Sequence, residues 1–110
     1  MVEALMGNKQ VIDFNILIEN VIQWADDKDI LKRENAPNQT MKVMEELGET
    51  ASAILKSKED EIKDGLGDTF VTLIILSKQL GLEPADCLAA AWDEIKDRKG
   101  KTENGVFIKA

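Results

Sequence analysis

Apolar residues recur along this chain at spacings of three and four, the period of a helix packed on one side. From Val11 to about Asp27, the residues Ile12, Phe14, Ile16, Leu17, Ile18, Val21, Ile22 and Trp24 predict a helix with a broad buried face. Met1 to Lys9 has no clear period and reads as a loose lead-in. Leu31 to Pro37 is a connection, with Asn35 placed to cap the next helix and Pro37 suited to its first turn. That second helix is predicted from about Pro37 to Lys56. Met41, Met44, Leu47, Ala51, Ile54 and Leu55 fall on one side of it, and Glu45, Glu46 and Glu49 fall at the margin.

Ser57-Lys58-Glu59-Asp60 breaks the pattern, with Ser57 as a cap for a third helix and Asp60 complementing its dipole. The third helix is predicted from about Lys58 to Leu80. Its second half, Phe70 to Leu76, is apolar all round. The β-branched residues there make a strand the rival reading. Helix is preferred because the run continues the phase of Ile62 and Leu66 and no turn residues precede it. A helix apolar on every side must be covered on every side, so a subunit interface is expected. Gly81 ends this helix. Glu83-Pro84 opens a fourth, with Leu88, Ala91, Trp92 and Ile95 as its inner face and the basic run Lys96 to Lys101 at its end. Thr102 to Ala110 reads as an extended tail with a turn at Asn104-Gly105. The expectation is one all-α domain over residues 1–110, a four-helix bundle that is oligomeric, with a loose 1–9 and an extended 102–110.

The 110 residues suffice for one core. A net charge of -7 argues against a nucleic-acid polymer as partner, which requires a basic face. It leaves a nucleotide open, because a bound cation inverts the local charge. The single cysteine, Cys87, is expected to be small, buried and unbridged, which points to a reducing cytoplasm. With no histidine in the chain, Ser-His-Asp triads, Cys-His pairs and histidine zinc sites are excluded, and acid-base or metal chemistry must run on carboxylates. The start of the chain has no basic stretch followed by an apolar run, so no signal peptide is expected, and no apolar run is long enough for a membrane span.

Two acidic clusters stand out. Glu45, Glu46 and Glu49 share one side of the second helix, and Asp64 and Asp68, with Glu61 a turn earlier, share one side of the third. Packed side by side, the two helices would gather up to five carboxylates. At about 5 Å and an effective dielectric near 20, each like-charged pair repels by roughly 3 kcal/mol. Mg²⁺ or Mn²⁺, hard ions that prefer oxygen ligands, would relieve that repulsion. Gly48, Gly65 and Gly67 are read as letting the two backbones approach.

These residues resemble the MazG-type all-α nucleoside triphosphate pyrophosphohydrolases. The likeness is carried by Gln39-x-x-Lys42-x-x-Glu45-Glu46-x-x-Glu49, then Asp64-x-x-x-Asp68, then Ile95-Lys96-Asp97-Arg98-Lys99-Gly100. It covers about Trp24 to Lys109, and the ending Asn104-Gly105-Val106-Phe107 is most similar to the short single-domain forms of phages and Gram-positive bacteria. It implies a helical bundle working as a homodimer or homotetramer, with Glu46 and Glu49 binding Mg²⁺ from one helix and Asp68 from the next. The family usually carries Glu three residues before the final Asp; Gly65 stands there here, and Asp64 is the substitute ligand.

The resemblance implies hydrolysis of a (d)NTP to the monophosphate and pyrophosphate. In that scheme Glu45 orients or deprotonates the water, and Lys42, Lys96 and Arg98, with Lys99 or Lys101, contact the triphosphate. Trp24 or Trp92 stacks on the base if it is not simply core, and Gln39 is a further substrate contact. Specificity of a dUTPase or dCTPase kind is a variant of this reading. An inactive helical oligomerisation or nucleotide-sensing module is the alternative, and Gly65 is the feature that favours it.

Overall fold

The computed structural model describes residues 11–110, so the loose lead-in expected over 1–9 lies outside the described residues. Helix α1 spans Phe14–Asp27, α2 Ala36–Leu55, α3 Glu59–Gln79 and α4 Pro84–Ile95, and a short 3-10 turn at Arg33–Asn35 precedes α2. Phe70 to Leu76 lies within α3, so helix prevails over strand.

Helix α1 starts three residues later than Val11, because the Asp13 carboxylate accepts hydrogen bonds from the Asn15 and Ile16 amides at 2.9 and 3.3 Å. The other two expected caps are not used. Asn35 donates its side-chain amide to the Ile30 carbonyl instead of accepting from the helix it precedes. Ser57 is not the cap of α3: it has φ of 54° and closes α2. There the Ser57 amide bonds the Ile54 carbonyl and the Lys58 amide bonds the Ala53 carbonyl. The same pair of bonds closes α1 around Asp29 and α3 around Gly81, both also left-handed. Of these three residues only Gly81 announces itself in the sequence, since a side chain in this conformation costs about 1–2 kcal/mol.

The three-residue link makes α2 and α3 an antiparallel pair, and this pair is the centre of the molecule. Its seam repeats at three and four. Ala36, Gln39, Val43, Glu46, Thr50 and Ala53 of α2 face Ile62, Gly65, Thr69, Thr72, Leu76 and Gln79 of α3, and all twelve are buried or half-buried. Most are small or polar. Most of the polar ones are satisfied in place: Gln39 donates its amide to the Thr72 carbonyl at 3.1 Å, and the Thr50, Thr69 and Thr72 hydroxyls bond carbonyls of their own helices, whereas the Gln79 side-chain oxygen is buried without a partner. The large apolar residues expected to face inward do not. Met41, Met44, Leu47, Ile54 and Leu55 are exposed, Leu55 by 87%. A seam of small side chains lets the backbones approach closely, and the long ones are left on the outer face.

One glycine accounts for the closest approach. A Cβ at Gly65 would collide with the Thr50 hydroxyl and sit 3.3 Å from the Thr50 Cα, whereas Gly48 and Gly67 face open space. The expectation that glycines on both helices permit the approach therefore holds for Gly65 alone.

Helix α1 lies along the other side of α3, where Phe14 meets Phe70 edge-on with ring centres 5.8 Å apart. The loop after α1 is tied to the end of α3 by Gln79, which donates to the Ile30 carbonyl at 3.1 Å, and by Arg33, which donates to the Leu80 carbonyl at 3.2 Å. Helix α4 buries no residue. Leu88, Trp92 and Ile95 form no inner face, and Cys87 is exposed rather than buried, because α4 meets α3 only near its own start. The extended tail is a hairpin. Strand β1 spans Gly100–Glu103 and β2 spans Val106–Lys109, with Glu103 opposite Val106. Asn104 and Gly105, at φ of 51° and 78°, make the two-residue turn.

The radius of gyration is 17.0 Å, against about 13 Å for a compact domain of this length. No helix among the described residues is long and apolar enough to cross a membrane.

Gly65→Ala is expected to lower stability by about 1–2 kcal/mol, the clash with Thr50 outweighing the gain in helix propensity. Gly67→Ala, on the same helix but facing outward, is expected to raise it by up to about 1 kcal/mol. Urea unfolding of the two variants separates a close-packed seam from a general intolerance of side chains in this stretch.

Candidate functional site

Antiparallel pairing sets the acidic stretches against each other. Glu46 occupies the seam itself, one turn before Thr50, while Glu49 lies at its edge. Partial burial, and behind it the negative charges of Glu49 and Asp68, push the Glu46 carboxyl above the ordinary carboxylate range. The charges on the two helices therefore do act on one another, as the spacing predicts. Lys42 opposes this, but its ammonium is spent mainly on Glu45, one turn away at 3.0 Å, with both side chains well exposed. Glu45 thus sits on the outer surface of α2, paired with Lys42.

Beside the seam, α2 and α3 enclose a cleft of about 250 Å³ lined by Glu49, Ser52, Lys56, Lys58, Glu61, Asp64 and Asp68, with Ala53 and Gly65 as its floor. Asp64 and Asp68 also border a groove on the far flank of α3, with Asp60, Lys63, Gly67 and Val71. Val71 is shared in turn with an apolar groove of about 330 Å³ formed by Leu17, Asn20, Val21 and Trp24. Three depressions joined by shared residues thus run along α3, from an aromatic end to an acidic middle to a basic end.

Of the candidates read from the sequence, Glu46, Glu49, Asp64 and Asp68 come together across the α2–α3 pair, and Trp24 adjoins them through Val71. Gln39 does not contribute a free amide: it is 9% exposed and joins α2 to Thr72. Lys96 and Arg98 bond Asp93 and Glu94 of their own helix at 2.7 and 3.1 Å and line no cavity with the carboxylates. Positive groups closing a helix C-terminus satisfy its dipole in just this way. The sequence reading placed Glu61 beside Asp64 and Asp68 but gave it no role, and it assigned none to Ser52, Lys56 or Lys58. Their spacing carries a signal: Ser52 and Lys56 follow Glu49 by three and seven residues, on one face of α2, and Glu61 precedes Asp64 by three on α3.

Comparison with known proteins gives the context. The MazG nucleotide pyrophosphohydrolase domain matches residues 36–101, more than half of the chain, from the start of α2 into the hairpin. The chain belongs to the MazG nucleotide pyrophosphohydrolase family. A protein of Haemophilus phage HP1, described as an uncharacterized 18.2 kDa protein of the rep-hol intergenic region, is 45% identical over 67 residues. That alignment takes in 61% of this chain but 41% of the phage protein, so the chain spans about two fifths of the relative it matches. No solved structure matches. The matched span in this MazG chain contains Glu46, Glu49, Asp64, Asp68 and the whole lining of the cleft, and excludes Trp24.

The chemistry of the acidic set suits a divalent cation. Carboxylate oxygens are what Mg²⁺ and Mn²⁺ prefer, and Glu49 and Asp68 add to the burial that raises the Glu46 carboxyl. Among the described residues, however, no three acidic side chains converge as they stand into a group able to hold an ion. Glu49, Asp64 and Asp68 are exposed, and their oxygen donors are of the type such an ion takes.

Because folding raises the Glu46 carboxyl, its ionised form costs stability at neutral pH, a cost that disappears as pH falls through the raised value. Glu46→Gln is therefore expected to increase the melting temperature of metal-free protein at pH 7 and to lose that advantage near pH 4. Differential scanning calorimetry at the two pH values checks both halves.

Proposed function

We propose that this MazG-family protein hydrolyses (deoxy)nucleoside triphosphates to the monophosphate and pyrophosphate. The observation that carries the reading is the cleft in which Glu49, Asp64 and Asp68 lie beside Glu46, in a chain of this family. Glu46, Glu49 and Asp68, with Asp64 in the role left open by Gly65, would hold Mg²⁺, with Mn²⁺ as a substitute. When bound, the ion neutralises phosphate oxygens and makes a bound water more acidic. The protein's own part is to hold the carboxylates on two rigid helices and keep Glu46 partly desolvated. Water adds across the anhydride bond between the first and second phosphates. Its proton passes to a carboxylate, for which Glu45 is the candidate once its pairing with Lys42 is released, and pyrophosphate departs. Trp24 offers an aromatic plane to the base at the apolar end of the groove system.

We also propose that the working unit is a homodimer or homotetramer. The support is the unfilled apolar surface of Met41, Met44, Leu47 and Leu55 on α2 and of Leu66, Phe70 and Leu73 on α3, together with the extended shape. Oligomerisation would also cover α4, which buries nothing by itself.

Gly65 favours a second reading, a nucleotide-sensing module without turnover. The position lies tight against Thr50 and has no room for a carboxylate side chain unless the helices part.

Purified protein incubated with each dNTP and Mg²⁺ is expected to release pyrophosphate, and Glu46→Gln or Glu49→Gln to reduce the rate by at least about 100-fold. Absence of pyrophosphate with every nucleotide would leave the sensing module. Sedimentation velocity is expected to find a dimer or larger species, and Met44→Glu combined with Leu55→Glu to shift it toward the monomer. A monomeric parent protein would reject the oligomer.

A further inference from the structure

Lys56 and Ser52 carry no phosphate contact in the sequence reading, which assigned the phosphates to Lys42 and to the end of α4. The geometry points to Lys56, with Ser52, as the contact for the terminal phosphates of the substrate, and so to the direction in which the nucleotide lies along α3. This assignment rests on the reading of the protein as a nucleoside triphosphate hydrolase.

Three observations carry it. First, Lys56 and Ser52 line the same cleft as Glu49, Asp64 and Asp68, whereas Lys96 and Arg98 do not. Second, the lysines of this region differ in what they have already bonded. Lys42 is engaged by Glu45 at 3.0 Å and Lys58 by Glu61 at 3.5 Å, while Lys56 and Lys63 have no carboxylate within ion-pair distance among the described residues, and of these two only Lys56 lines the cleft with Glu49. An ammonium without a partner beside a row of acids is the group available to an incoming anion. Third, the depressions have an order. Val71, which bounds the Trp24 groove, lies three residues from Asp68 and seven from Asp64, or about 5 and 10 Å along the helix axis. Lys56 lies at the α2–α3 turn, beyond Glu49, Asp64 and Asp68, with Ser52 and Glu61 between.

A nucleoside triphosphate is chemically polar in the same order: an aromatic base, a reacting phosphate that needs charge neutralisation, then a pyrophosphate end carrying most of the negative charge. The match sets the base against Trp24, the anhydride at the carboxylates, and the leaving pyrophosphate against the Lys56 ammonium and Ser52 hydroxyl. A lysine at the C-cap of a helix, as Lys56 is, also complements the dipole, so the test must separate charge at that place from contact with phosphate.

The measurement is calorimetric binding of inorganic pyrophosphate in the presence of Mg²⁺ to the full chain, its Lys56→Gln, Lys56→Arg, Lys96→Gln and Trp24→Ala variants, each checked for a wild-type melting temperature. Lys56→Gln is expected to weaken binding about tenfold, as loss of one charge-assisted contact does, with Lys56→Arg retaining most of it. Lys96→Gln and Trp24→Ala are expected to bind pyrophosphate as the parent does. Unchanged affinity in Lys56→Gln, or no binding of pyrophosphate by the parent, overturns the assignment, and equal weakening by Trp24→Ala overturns the direction. Turnover is read separately. A parent that binds pyrophosphate through Lys56 but hydrolyses no dNTP would retain this site and lose the enzyme, whereas hydrolysis with unaltered KM and kcat in Lys56→Gln would retain the enzyme and lose the site.

Discussion

The close contact of α2 with α3 at Gly65 and Thr50 governs the geometry of everything else. Two antiparallel helices joined by three residues can pack in many ways, but a glycine lodged against a threonine leaves one close arrangement. The rest of the seam agrees with it, since its alanines and threonines fill little space and the threonine hydroxyls bond carbonyls of their own helices. That approach sets Glu46 near enough to Asp68 for their charges to be felt, and opens the cleft along the edge where Glu49 faces Asp64 and Asp68. The fold thereby holds negative charge in excess at the place where a cation would do chemical work.

The same economy of small residues has a second consequence. A helix pair that joins through its small side chains must display its large ones elsewhere, and here they lie on the outer face of α2, along α3 and over all of α4. Few large side chains are buried among the described residues, and the proposed assembly would cover the rest. Assembly and activity are therefore linked in the proposal: the packing that makes the acidic cleft is also what leaves the apolar faces bare.

Much of the site was legible before the structure, and for a definite reason. Helical periodicity is strict, so residues three and four apart must share a face, and each acidic cluster could be placed on one face of its own helix from spacing alone. Lys56 and Ser52 obey the same arithmetic but belong to common residue types on a helix surface, and nothing in a single chain marks them until a cavity appears between them. Lys96 and Arg98 show the converse. Their types suit phosphate, yet helix geometry gave them carboxylates of their own to bond. Gln39 was drawn into the site by its fixed offset from Lys42, and burial turned it into a joint between helices.

The sequence by itself determined the four helices, the ends marked by Gly81 and by Asn104-Gly105, and the acidic faces of α2 and α3, because these follow from local periodicity and backbone preference. It did not determine which side of α2 turns inward. Hydrophobicity pointed to Met41, Met44 and Leu47, whereas the tertiary structure chose the small, hydroxyl-bearing side, since close backbone approach and satisfied polar groups can outweigh apolar area when that area has another surface to meet. Whether glycine serves packing or merely loosens a helix was likewise a tertiary matter: Gly65 and Gly67 lie two residues apart, and only the first has a neighbour.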